Sequence, residues 1–175
     1  MAATDAPIRV NRAPVLTLWA AVVAECLGHA PDTAMSLASH VAGTAAQAKA
    51  RRLGIAEGHA REDRATGLAE PESVPLLGRH VPVTRDEQGQ LLAASGDGTP
   101  TPAAPARAYV AKAFGKRLEE ARSAMEALAA SLDPQELNRV GFRLYEHFRP
   151  EVPADARGWG AKGELHPQRI RDAAG

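Results

Sequence analysis

The residues of this chain that could recognise a polar partner are concentrated in two stretches. The first stretch contains Gln47, Lys49, Arg51 and Arg52, which lie within six consecutive positions. Arginine and lysine can contact phosphates or guanine, and glutamine can read the edge of adenine. This stretch therefore predicts a duplex-DNA-binding surface, provided that a helix presents these side chains.

A helix-turn-helix would present the first stretch. Residues 37–44 are compatible with the first helix and the turn, with Gly43 at the turn, and residues 45–53 with a recognition helix. The alternative is one continuous helix, in which a single glycine is tolerated and the basic end complements the helix dipole. The continuous helix is favoured, and the balance of 21 Lys+Arg against 21 Asp+Glu also counts against DNA binding.

The second stretch contains six residues that could bind a ligand or a protein partner. They are Tyr145, His147, Arg149, Arg157, Trp159 and Lys162. Glycines flank Trp159, so its ring could anchor a partner while the neighbouring cations contact an anion. The alternative is that Trp159 pins the C-terminal tail to the body of the protein, because burial explains an aromatic ring as well as binding does.

Neither stretch carries a motif for catalysis or metal binding. The six histidines form no HxH or HExxH pair, and the chain has no P-loop and no GxSxG motif. The one cysteine, Cys26, is expected to be a packed thiol on a buried helix. The sequence therefore predicts no catalytic residue, no metal and no cofactor, and it favours a non-enzyme over an enzyme.

The elements that must position these residues are predicted to be mainly helical. Aromatic residues make up only 4% of the chain and alanine is abundant, a composition that favours closely packed helices over a β-sandwich. About four principal helices in one bundle are predicted, over residues 13–27, 32–54, 106–132 and 134–148. The first is apolar nearly all round and should lie in the middle of the bundle, with Trp19 in the core.

The fourth predicted helix has the clearest boundaries. Asp133 is a natural N-cap, Pro134 suits the first helical position, and Glu136 would complete a capping box. The Arg149–Pro150 pair predicts the end of the helix, because the residue before a proline avoids helical geometry. A further short helix is predicted from Pro167.

The remaining segments predict a small hairpin and two flexible regions. Residues 74–83 should pair with residues 90–93 across turn residues at 86–89. Residues 1–12 are predicted to be a flexible arm, and residues 94–105 a flexible linker rich in Gly, Pro, Ser and Thr. The two helical halves, residues 13–93 and residues 106–175, should pack as one domain because each alone would bury little surface.

Three functional hypotheses follow, all for a cytoplasmic protein without a membrane partner. The most apolar window, residues 13–27, is too short to span a bilayer and contains Glu25. The first hypothesis is a small DNA-binding or regulatory protein that uses the basic first stretch. The second is a non-catalytic helical interaction module that binds a protein partner or a second copy of itself. The third is a ligand-binding protein or enzyme with a pocket near Tyr145, His147 and Trp159.

Overall fold

One helix, α1 (Arg12–Cys26), lies at the centre of the fold. The structure, a computed structural model, describes residues 7–52, 72–95, 98–150 and 163–173, without the side chains of residues 44–52. Every residue of α1 from Pro14 to Ala24 is buried, because apolar or small side chains occupy all sides of the helix. The prediction that this helix lies in the middle of the fold, with Trp19 in the core, is confirmed.

The other described helices pack around α1 or against its neighbours. They are α2 (Pro31–Arg52), α3 (Ala104–Phe114), α4 (Leu118–Ala130), α5 (Pro134–Phe148) and the short α6 (Pro167–Asp172). Helices α2 to α5 all contact α1, whereas α6 packs on α4 and α5. The chain is therefore mainly α, as predicted. Among the described helices, none combines the length and the apolarity that crossing a membrane requires.

The prediction of one helix over residues 106–132 is wrong. Gly115 takes φ +56° and ψ −130°, and Gly115–Arg117 forms a 3-10 turn between α3 and α4. Glycine adopts such backbone angles without the steric cost that a side chain brings. The apolar stripe still faces the core on both sides of the break, through Phe114 and Met125. Its spacing therefore indicated burial but not helix continuity.

Helix α5 begins as predicted, with one difference in its cap. The Asp133 carboxylate accepts a hydrogen bond of 3.2 Å from the backbone N–H of Gln135, and Pro134 occupies the first turn. Glu136 pairs with Arg139 at 2.6 Å instead of completing a capping box. The N-cap alone therefore satisfies a first-turn backbone donor of α5.

The strands of the described residues form two small antiparallel sheets. They are β1 (Ile8–Val10), β2 (Ser73–Leu76), β3 (Arg79–Arg85), β4 (Leu91–Ala93) and β5 (Gly163–Leu165). The larger sheet has the order β2-β3-β4, and β3 pairs with β4 across a turn at residues 86–90. The Asp86 carboxylate accepts backbone N–H groups of Gln88 and Gln90, both at 2.9 Å. The predicted pairing across this turn is confirmed, but the predicted single extended segment over residues 74–83 is wrong, because a turn at Leu77 and Gly78 divides it into β2 and β3, which pair with each other.

The smaller sheet joins the two ends of the described chain. Ile8 pairs with Leu165, and Val10 pairs with Gly163. Ile8 and Val10 are buried because alternate side chains of a strand point to the same face. The described part of the predicted N-terminal arm is therefore packed against the body of the protein.

The described part of the predicted linker is tied to both the sheet and α2. The backbone N–H of Thr101 donates to the carbonyl of Ala93 at 2.7 Å. The Ser36 hydroxyl donates to the Thr101 carbonyl at 2.6 Å and accepts the Ala93 N–H at 2.9 Å. These bonds place the segment that leads into α3 beside the first half of α2.

The turn between β2 and β3 docks onto α5 at a glycine. Leu77 has φ +54°, and its backbone N–H donates to the Asn138 side-chain oxygen at 2.6 Å. The buried Leu77 side chain lies directly against Gly141, where a β-carbon would overlap it. The Gly141 carbonyl accepts the indole N–H of Trp19 at 2.8 Å. One position of α5 therefore connects the sheet to α1.

Candidate functional site

An apolar cleft opens where the start of α1, the middle of α2 and the start of α3 meet. Its volume is about 350 Å³. Most of the side chains that line the cleft are small, so they do not fill the space between the three helices. The residues that line this Tyr109 cleft are Ala13, Thr17, Ser39, Ala42, Gly43, Pro105, Ala106 and Tyr109.

Tyr109 stands at the edge of the cleft with its side chain in solvent. It is 48% exposed, and among the described residues no other large hydrophobic side chain is as open to solvent. Ala106 and Val110 on α3 are buried, and Tyr109 lies at the flank of this buried stripe, on the side of Ala106, with which it lines the cleft. An exposed tyrosine beside an apolar hollow is typical of protein interaction surfaces, where aromatic anchors are enriched.

The cleft offers little polar chemistry. The Thr17 hydroxyl donates within α1 to the Ala13 carbonyl at 2.8 Å. In the described part of the chain, no acidic or basic side chain lines the cleft. Shape and apolar contact with these described residues would therefore dominate binding there.

Gly43 contributes no side chain to the α2 side of the cleft. It is exposed, and outside its own helical turn no described atom lies within 4 Å of the place where its β-carbon would be. A glycine inside a helix costs about 1 kcal/mol relative to alanine. Neither a positive φ nor a close neighbour accounts for glycine at this position. The exposed backbone does allow another chain to approach closely.

Helix α2 runs without interruption through Gly43 to Arg52. The predicted helix-turn-helix is therefore wrong, and the alternative of one continuous helix is confirmed. Gly43 stays helical because a single glycine only weakens a helix and the first half of α2 is anchored by burial against α1.

The basic end of α2 extends beyond the start of α1. Ala13 and Gly43 line the same cleft, and α2 continues past Gly43 to Arg52, about 13 Å further at 1.5 Å per residue. The predicted nucleic-acid-binding residues all belong to this last part of α2, where the backbone is helical and the side chains lie outside the described atoms: Gln47, Lys49, Arg51 and Arg52.

The structure does not bring the described members of the second stretch into one pocket. Tyr145 is only 5% exposed, and its hydroxyl donates to the Arg12 carbonyl at 3.3 Å. Its ring packs against Phe142 and Phe148, with centroids at 5.7 and 5.9 Å. Burial raises the pKa of the Tyr145 hydroxyl to about 12. Tyr145 therefore packs as a core residue.

His147 leaves α5 on the exposed side, away from Tyr145. It lines a shallow depression of about 240 Å³ together with Arg169, Asp172 and Ala173. Arg169 donates to the His147 backbone carbonyl at 3.1 Å. Arg149 is half-buried at the end of α5. The other three residues of this stretch lie outside the described residues: Arg157, Trp159 and Lys162.

Cys26 is exposed at the end of α1, not packed as the sequence predicted. Partial desolvation raises the pKa of its thiol, and the carboxylates of Glu25 and Glu126 raise it further. A higher pKa leaves less of the nucleophilic thiolate. Within the described ranges, no group of three His, Cys, Asp or Glu side chains could hold a metal ion.

Comparison of the chain with protein-family models, with curated proteins and with solved structures gives no match. The Tyr109 cleft was not predicted from the sequence. The one signal in the sequence was Tyr109 itself, an aromatic residue beside the apolar stripe of α3 in a chain with 4% aromatic residues.

Proposed function

We propose that this chain is a non-catalytic interaction module that binds a protein partner through the Tyr109 cleft. The observation that carries this proposal is the exposed Tyr109 side chain beside a cleft with no acidic or basic lining residue in the described chain. An aromatic anchor next to an apolar hollow provides the centre of a binding site, where a few residues supply most of the affinity.

A helical segment fits this surface better than a small polar ligand does. Ser39, Ala42 and Gly43 lie on α2 at a spacing of three and four residues, so they form a shallow trough along the helix. Side chains of a second helix can enter such a trough, and the absence of a Cβ at Gly43 lets its backbone come close. A polar ligand would find few hydrogen-bonding groups in the lining.

Site-specific photo-cross-linking tests this proposal. A p-benzoylphenylalanine replaces Tyr109 in one sample and Ser123, an exposed residue of α4, in the control. Irradiation is done on the purified chain and in an extract of its native host. We expect a discrete cross-linked product from position 109 only, and its loss when Ala42→Glu places a charge in the cleft. Equal labelling from both positions, or labelling that ignores Ala42→Glu, contradicts the proposal.

DNA binding is the second candidate, favoured by the extension of α2 beyond α1 with Lys49, Arg51 and Arg52 in its last turn. Binding of random-sequence duplex DNA is measured by fluorescence anisotropy at low and moderate salt. The matched control for Arg51→Ala/Arg52→Ala is Lys112→Ala/Lys116→Ala, which removes two exposed cations elsewhere.

If the end of α2 binds DNA, affinity falls steeply with salt and is lost only in the arginine variant. No binding at low salt contradicts this candidate. The cations at the end of α2 are then explained as partners of the negative end of the helix dipole.

A further inference from the structure

We draw no further inference here: the strongest candidate, the Tyr109 cleft between α1, α2 and α3, belongs to the site already described, and nothing in the described part of the chain shows what covers it.

Discussion

Two helical glycines respond oppositely to the same substitution if the packing described above is correct. Gly43→Ala adds a methyl group to an open position, because outside the helical turn no described atom lies within 4 Å of where the β-carbon would be. Gly141→Ala adds the same group where the Leu77 side chain already lies closer than van der Waals contact allows. Comparing the two variants therefore separates the effect of helix propensity on stability from the effect of packing.

The expected magnitudes follow from these surroundings. Alanine in place of a helical glycine should stabilise the Gly43 variant by up to about 1 kcal/mol. At Gly141 this gain is opposed by overpacking, which costs about 1–3 kcal/mol and more where the neighbour cannot move. Leu77 has little freedom, since its side chain is 3% exposed and its N–H is bonded to Asn138. We expect Gly141→Ala to destabilise the protein by about 1–2 kcal/mol.

Urea denaturation at low protein concentration measures both variants without a contribution from association. Leu77→Ala supplies the control background, because it removes the atoms that the new methyl group meets. In that background Gly141→Ala should become neutral or stabilising, which gives a coupling energy of about 1–3 kcal/mol. If Gly141→Ala is as stable as the parent, or if Leu77→Ala leaves its effect unchanged, the docking of the β2–β3 turn on α5 is not as described.

Three further substitutions test single contacts. Ser36→Ala should lower the free energy of unfolding by about 1–3 kcal/mol, because the buried hydroxyl that joins the Ala93 N–H to the Thr101 carbonyl is lost. Urea denaturation measures this loss. The Ala93 amide should also exchange its hydrogen faster. Trp19→Phe should cost at least about 1–3 kcal/mol, because the Gly141 carbonyl loses its indole donor in the core; unchanged stability contradicts this role. Tyr145→Phe tests the pH dependence: the folded pKa of about 12 lies above the ordinary value of 10, so the stabilisation is complete below pH 10 and is lost as the pH rises towards 12. Urea denaturation from pH 9 to pH 12 should therefore show a smaller alkaline loss in Tyr145→Phe than in the parent.

Sequence patterns predicted the elements that are determined by residues close together in the chain. The all-apolar run of α1 predicted its burial, since a helix without a polar face must be covered on every side. Asp133 and Pro134 predicted the start of α5, because capping involves only adjacent residues. The turn after β3 was predicted for the same reason.

The elements that depend on distant contacts were not predicted. Strand β1 is three residues long and pairs with β5 at the other end of the chain, so no local alternation reveals it. The break at Gly115 was missed because the apolar spacing continues across it. Hydrogen bonds from Ser36 hold a segment whose composition indicated flexibility.

The candidate site also has one part that is determined locally and one part that depends on contacts between distant segments. The basic residues Lys49 and Arg52 could be placed at the end of a helix, because charge and helix boundaries are local properties. The Tyr109 cleft is formed by three helices, and its shape depends on the angles at which they cross. Spacing in the sequence does not determine these angles, so the hollow beside Tyr109 appears only in three dimensions.

Both outer edges of the β2-β3-β4 sheet carry features that disfavour pairing with a further strand. At β4, α2 occupies the edge, because the Thr33 hydroxyl donates to the Leu91 carbonyl at 2.6 Å and Ser36 accepts the Ala93 N–H. At β2, Pro75 has no N–H to offer, and its carbonyl accepts from Asn138 at 3.3 Å. A short sheet with exposed edges is a template for aggregation. Fibril-like growth from the β4 edge therefore requires partial unfolding, because an incoming strand would have to displace the contacts of Leu91 and Ala93 with α2.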